Sequence, residues 1–177
     1  MKWKKLGNIF NVENIGPWIN SHAANSVAER LYDDVYRIYF SCRDKDNKAS
    51  IGFVDLDILD FSIKQISNNP VISPGEVGTF DDSGTSLSCI IHVNDTKYLY
   101  YLGWNLGVTV PWRNSIGLAI YNGNSDCFEK VSKADFATDF YCFNKIKINT
   151  CSKTCAWMPI VTKGNCKNLI WISRFSR

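Results

Sequence analysis

An internal repeat constrains this chain more than any single motif does. The stretches YRIYFSCRDKDNKASIGFVDLD (36–57) and YLYYLGWNLGVTVPWRNSIGLAIY (98–121) share an aromatic run, a polar excursion, and then Ser-Ile-Gly opening a second apolar run. Tyr36 matches Tyr98 at an offset of 62, and Ser50-Ile51-Gly52 matches Ser115-Ile116-Gly117 at 65. A third copy follows, because SLSCIIHVNDTKYLYYLG (86–103) lies without gaps over AWMPIVTKGNCKNLIWIS (156–173) at an offset of 70. Short segments rich in Ile, Val, Tyr and Phe recur at 35–41, 49–57, 85–93, 97–103, 114–121, 158–162 and 168–173, and turn residues such as Asn94-Asp95-Thr96 bound them. No stretch has the periodicity of a long helix.

Repeats of this kind are small sheets that cannot bury both faces without neighbours. The expected fold is therefore all-β, a β-propeller of which about two and a half blades are present: one over 18–60, one over 80–125 and an incomplete one over 150–177. With 177 residues and 45% apolar content, one domain with one sizeable core is expected. A sheet that stops after two strands exposes a face and an edge, so self-association through residues 156–175, or else poor solubility, is expected as well.

Charge and cysteine content limit the partners. The net charge of +3 is uneven: residues 134–177 hold seven Lys/Arg against two Asp/Glu, leaving 13 against 15 in residues 1–133. The tail lysines at 145, 147, 153, 163 and 167 are dispersed rather than interleaved with aromatics, which argues against nucleic acid as a partner. No stretch is long and apolar enough for a membrane span, and the basic start MKWKKLGNIF lacks the apolar run of a signal peptide. Seven cysteines without a scaffold spacing then read as reduced thiols in a cytoplasm. Cys142, Cys151, Cys155 and Cys166 are spaced by 9, 4 and 11, which is no zinc-knuckle pattern, so neither a metal nor a cofactor is expected.

The order W…SHA…YRIYFSCRD…SIGFVDLD…GTFDDSG…YLYYLGWN…VPWRNSIGLA resembles the glycosidase-like proteins of polysaccharide-biosynthesis gene sets. These belong to the five-bladed propeller superfamily of invertases, arabinanases and xylosidases. The likeness covers residues 1 to about 130, carried by FDDSG, YYLGWN and VPWRNSIGLA, and the stretch 134–155 departs from it. It implies a carbohydrate-active protein of glycoside hydrolase type, with an axial pocket that takes one carboxylate from each of the first three blades. Hydrolysis at an acetal carbon needs two carboxyls flanking the bond with pKa values pushed apart.

Under the repeat, Asp82 falls opposite Asn20 in the first unit and Ser152 in the third, so only one unit offers an acid. Asp82 is then the candidate catalytic carboxylate, in the place of the superfamily's modulating aspartate, and Asp81 is expected to cap or solvate the turn. Both could instead be polar loop residues of GTFDDSG. For substrate binding the candidates are His22, Arg43, Asp44, Asp81, Trp104 and Trp112. His22 could bond a sugar hydroxyl or sit as a structural group. Arg43-Asp44 could clamp an anionic group or brace a loop, and the two tryptophans could stack on sugar rings or fill gaps between blades. Glu29 and Glu76 are the other acids that could stand in for a missing role. The partner is accordingly an oligosaccharide or polysaccharide; a non-catalytic glycan-binding propeller and an inactive truncated product are the alternative readings.

Overall fold

The computed structural model describes residues 3–5, 7–13, 15–134 and 173–175. Ten strands and no helix occur among them: β1 (Trp3–Lys5), β2 (Ser21–Tyr32), β3 (Val35–Arg43), β4 (Ala49–Asp57), β5 (Ile63–Ile66), β6 (Gly84–Val93), β7 (Thr96–Leu106), β8 (Trp112–Asn122), β9 (Cys127–Lys130) and β10 (Ser173–Phe175). The all-β expectation stands. Strands β2 to β5 form one antiparallel meander and β6 to β9 a second. A single parallel pair, Ala49 with Gly84, joins them into one open sheet of eight strands, in which β5 branches off β4, while β1 pairs only with β10. The described sheet is not closed into a ring. The expected runs at 158–162 and 168–172, and most of the surface proposed for self-association, lie outside the described residues.

Each meander begins with a two-residue hairpin, and here the repeat becomes geometric. Asp33 (φ 40°) and Asn94 (φ 53°) hold the same left-handed turn position, as short polar side chains can. They are 61 residues apart. Phe61 (φ 61°) and Asp126 (φ 48°) match likewise in the last turn, 65 apart. The registers agree, since Tyr39 pairs with Phe53 as Tyr100 pairs with Leu118. The offset in the aromatic strands is thus 61 rather than the 62 read from Tyr36 and Tyr98. Because side chains alternate between faces, that one residue reverses which face each equivalent occupies.

The corrected register shows how the layers stack. On one face of the first sheet Ile38, Phe40, Val54 and Leu56 bury against Phe10 and Val12 of the preceding segment. On the other, Tyr39, Ile51 and Phe53 bury against Leu87, Leu99, Tyr101 and Phe128 of the second. Burial of each such side chain is worth ~1.5–3 kcal/mol, so both cores contribute substantially to the stability of this region. Glycine makes room in both units: Gly52 lies under the ring of Trp18, and Gly117, opposite Tyr101 in the ladder, lies under that tyrosine's own ring.

A charged clamp crosses the same interface. The Arg37 guanidinium, buried and 3.6 Å above the Phe53 ring, donates to both Asp55 oxygens at 2.8 and 2.9 Å and reaches Asp126 in the second sheet at 2.6 Å. Burial alone would lower its pKa, but the two carboxylates more than offset that and hold it above its ordinary value. Lys97 bonds Glu29 at 2.8 Å nearby, again from one sheet to the other. Replacing Arg37 by Met keeps the stem and leaves Asp55 buried without its cation, an arrangement that costs ~3–5 kcal/mol. Urea unfolding should show that loss as a lower midpoint at unchanged m-value; a shift worth under ~1 kcal/mol would mean that packing alone holds the sheets.

Candidate functional site

One end of the two meanders collects the residues nominated from sequence. Strand pairing runs continuously from Ser21 to Arg43, Ala49, Gly84, Trp104 and Asn114, crossing both sheets at the same level. His22 follows Ser21, Asp44 follows Arg43, Asp81 and Asp82 precede Gly84, and Trp112 lies two residues before Asn114. Five separate stretches of chain therefore deliver their candidates to one rim, while the Arg37 and Glu29 networks occupy the other end.

The start of β2 is irregular in a way that re-aims its side chains. His22 (φ 67°) and Asn25 (φ 52°) both have left-handed backbone, and the pairing with β3 shifts register between Ser21 and Ala24 and again between Ala24 and Val27. Bulges of this kind turn a strand's side chains off the pleat. Asn25 donates to Ser86 Oγ in β6 at 2.8 Å, Ser86 Oγ lies 3.2 Å from Ser41 Oγ, and Ser41 accepts the Leu87 N–H at 2.8 Å. A chain of small polar groups thus stitches together the first strands of the two units. His22 Nδ1 lies 2.8 Å from Ser21 Oγ.

The two aspartates divide their labour in the reverse of the expected order. Asp82 accepts the Gly78 N–H at 2.9 Å and the Ser83 hydroxyl at 2.8 Å, so it closes the turn of GTFDDSG. Asp81 is 1% exposed and takes the Thr79 hydroxyl at 3.0 Å, the Tyr101 hydroxyl at 3.1 Å and Lys130 Nζ at 2.6 Å. Burial first, and then the neighbouring Asp81 charge, push the Tyr101 hydroxyl well above its ordinary pKa, which keeps it a donor. Both aspartates lie in a hydrogen-bonded turn before β6, and nothing in the string FDDSG itself says which of the pair turns inward.

Arg43 and Asp44 do not pair. Asp44 accepts the backbone N–H groups of Asp46 and Lys48, both at 2.9 Å, and shapes the loop where Asn47 takes a left-handed φ of 60°. Arg43, half-buried, has no carboxylate partner among the described residues. Trp104 packs its ring on Gly84, whereas Trp112 is 64% exposed on the rim. Of the other acids, Glu29 is engaged by Lys97 and His92 at the far end, and Glu76 pairs with Lys133 at 2.7 Å.

A cleft of about 540 Å³ opens beside this end, walled by Pro70, Val71, Pro74, Phe128 and Val131, with the Asp81–Lys130 pair at one side. Within its lining Thr79 and Lys130 donate to Asp81, and Lys133 donates to Glu76. Among the described residues no group of three His, Cys, Asp or Glu side chains could hold a metal ion, and no helix is long and apolar enough to cross a membrane. Cys42, Cys89 and Cys127 are not in disulfides.

No family model matches the chain. It is 49% identical over 121 residues to two proteins of Mycobacterium tuberculosis, from strains H37Rv and CDC 1551, each described as an uncharacterized protein. The match takes in 68% of this chain, and the chain spans only 40% of the length of those relatives.

The two aspartates should separate cleanly on substitution. Asp81→Asn removes a buried carboxylate from its lysine and should cost ~2–4 kcal/mol, below the full cost of a wholly buried pair because Lys130 is partly exposed. Asp82→Asn keeps an acceptor in the turn and should cost under ~1 kcal/mol. Equal losses in chemical denaturation would refute this division of roles.

Proposed function

We propose that this rim is a glycan-binding surface in a carbohydrate-active, glycosidase-like protein, and that the two meanders are neighbouring blades of a five-bladed propeller. The reading is carried by the ladder row that brings Arg43, His22 and the aspartate turn to the level of Trp104 and Trp112. Sugar recognition requires fixed hydrogen bonders beside an aromatic face. Asn25, Ser41 and Ser86 hold one another in place, Arg43 offers five donors in a fixed plane, and Trp112 presents an open ring. The reduced thiols of the described residues suit the cytoplasmic side of polysaccharide assembly.

The same geometry favours binding over hydrolysis. Acid–base work at a glycosidic bond needs two carboxyls about 5–10 Å apart that can exchange protons with substrate. Asp81 is committed to Lys130 and Tyr101, and Asp82 to its own turn. Hydrolysis is the second reading, and it rests on the family resemblance.

Calorimetry with a panel of oligosaccharides tests both. Binding of at least one glycan is expected, with Trp112→Ala weakening it roughly 5–10-fold, the worth of one lost aromatic face. Asp82→Asn should leave affinity within about twofold, since its carboxylate serves the fold. If no glycan binds, the proposal fails; if reducing ends are released and Asp82→Asn abolishes the release, hydrolysis replaces binding as the function.

A further inference from the structure

Between residues 15 and 134 four basic side chains are drawn partly or wholly out of water: Arg37, Arg43, Lys97 and Lys130. Three of them meet carboxylates from elsewhere in the fold, Arg37 those of Asp55 and Asp126, Lys97 that of Glu29, and Lys130 that of Asp81. A cation taken from water without such a partner is costly, so this is the expected pattern. Arg43 departs from it. Among the described residues no carboxylate pairs with its half-buried guanidinium and no other group bonds it. The acids of the rim are spent elsewhere: Asp44 on the N–H groups of Asp46 and Lys48, Asp82 on Gly78 and Ser83, and Asp81 on Lys130, Tyr101 and Thr79. Outside the described residues the side-chain carboxylates of the chain are those of Asp135 and Asp139.

The backbone aims this cation with care. Strand β3 pairs with β4 without a register break from Val35 to Arg43, so alternation sets Arg43 on the face of Arg37, Tyr39 and Ser41, the one turned to the second sheet. It is held in the ladder on both sides, by Ser21 and by Ala49, and its carbonyl takes the Asn20 N–H at 2.9 Å. One step inward on the same face, Ser41 joins the neutral chain to Ser86 and Asn25. A positive fork thus stands at the rim end of a row of neutral hydrogen bonders. We propose that the ligand of this rim is an acidic glycan, whose carboxylate or phosphate group is received by Arg43. Both groups present two oxygens in the geometry that a guanidinium meets with paired N–H donors. The inference rests on the glycan reading and adds the charge of the sugar to it.

Calorimetry on the full chain with matched probes separates the two. Uronic-acid oligosaccharides are titrated beside their methyl esters, which have the same sugars without the charge, and sugar phosphates beside their parent sugars. At least one acidic probe should bind ~10-fold or more tightly than its neutral counterpart, the worth of a charged hydrogen-bonded pair, and which set shows the preference tells carboxylate from phosphate. Arg43→Gln should abolish the preference, and Arg43→Lys, which keeps the charge but not the fork, should retain part of it. The paired substitution Asp135→Asn with Asp139→Asn should leave it unchanged. Neutral probes that bind as tightly as acidic ones overturn this inference and leave the glycan reading standing, whereas an absence of binding by every sugar removes both. A preference that survives in Arg43→Gln overturns it, because the anion is then held elsewhere. A preference that emerges only in the double aspartate variant overturns it as well, since Arg43 then has its counter-ion within the chain.

Discussion

Everything described here depends on the need of a small twisted sheet to bury two faces when its own strands can cover neither. A four-stranded meander with apolar residues at both alternating sets of positions is unstable alone. The first sheet resolves this by taking Phe10 and Val12 on one side and the whole second sheet on the other. Strand register is then fixed by packing, because a slip of one residue in β3 would carry Arg37 and Ser41 into the core against Phe10 and Val12 and break the Arg37 clamp. The clamp of Arg37 on Asp55 and Asp126 adds a directional lock to a contact that is otherwise non-directional.

Much of this architecture was legible in the sequence, and the failures have physical causes. The aromatic and β-branched runs placed β3, β4, β6, β7 and β8 nearly to the residue. Strand β2 escaped notice, for SHAANSVAERLY has few β-formers and its bulges at His22 and Asn25 break the period of two. The short outer strands β5 and β9 carry too few residues to show any period. The offset of 62 was a match of letters, tyrosine on tyrosine. Hydrogen-bond register demanded 61, and only that choice sets Phe40 opposite Gly52 as Tyr101 is opposite Gly117.

The candidate site was legible as a place more than as a mechanism. Motifs at strand ends gather wherever strand ends gather, so the rim followed from the repeat. The roles of Asp81 and Asp82 did not, because they turn on partners far along the chain: Tyr101 and Lys130 come from β7 and β9. The Asn25–Ser86–Ser41 chain was missed altogether, since its members are common surface residues whose meaning lies only in their meeting.

The bulged start of β2 connects stability to function. Left-handed backbone at a residue other than glycine costs on the order of 1 kcal/mol and persists only where its surroundings enforce it. Around His22 and Asn25 they do: Trp18 is seated on Gly52 with its indole N–H on the Asn68 carbonyl, the Asn20 N–H bonds the Arg43 carbonyl, and Asn25 is held by Ser86 from the second sheet. A strand needing only to fill a core has no use for two such kinks, and β6, its counterpart, shows one register shift and no left-handed residue between Gly84 and Val93. The stored strain lies at the end of the molecule where Arg43 and Trp112 also converge. It fixes the direction of polar side chains on a sheet rather than on a loop, which is the arrangement that the proposed glycan surface calls for.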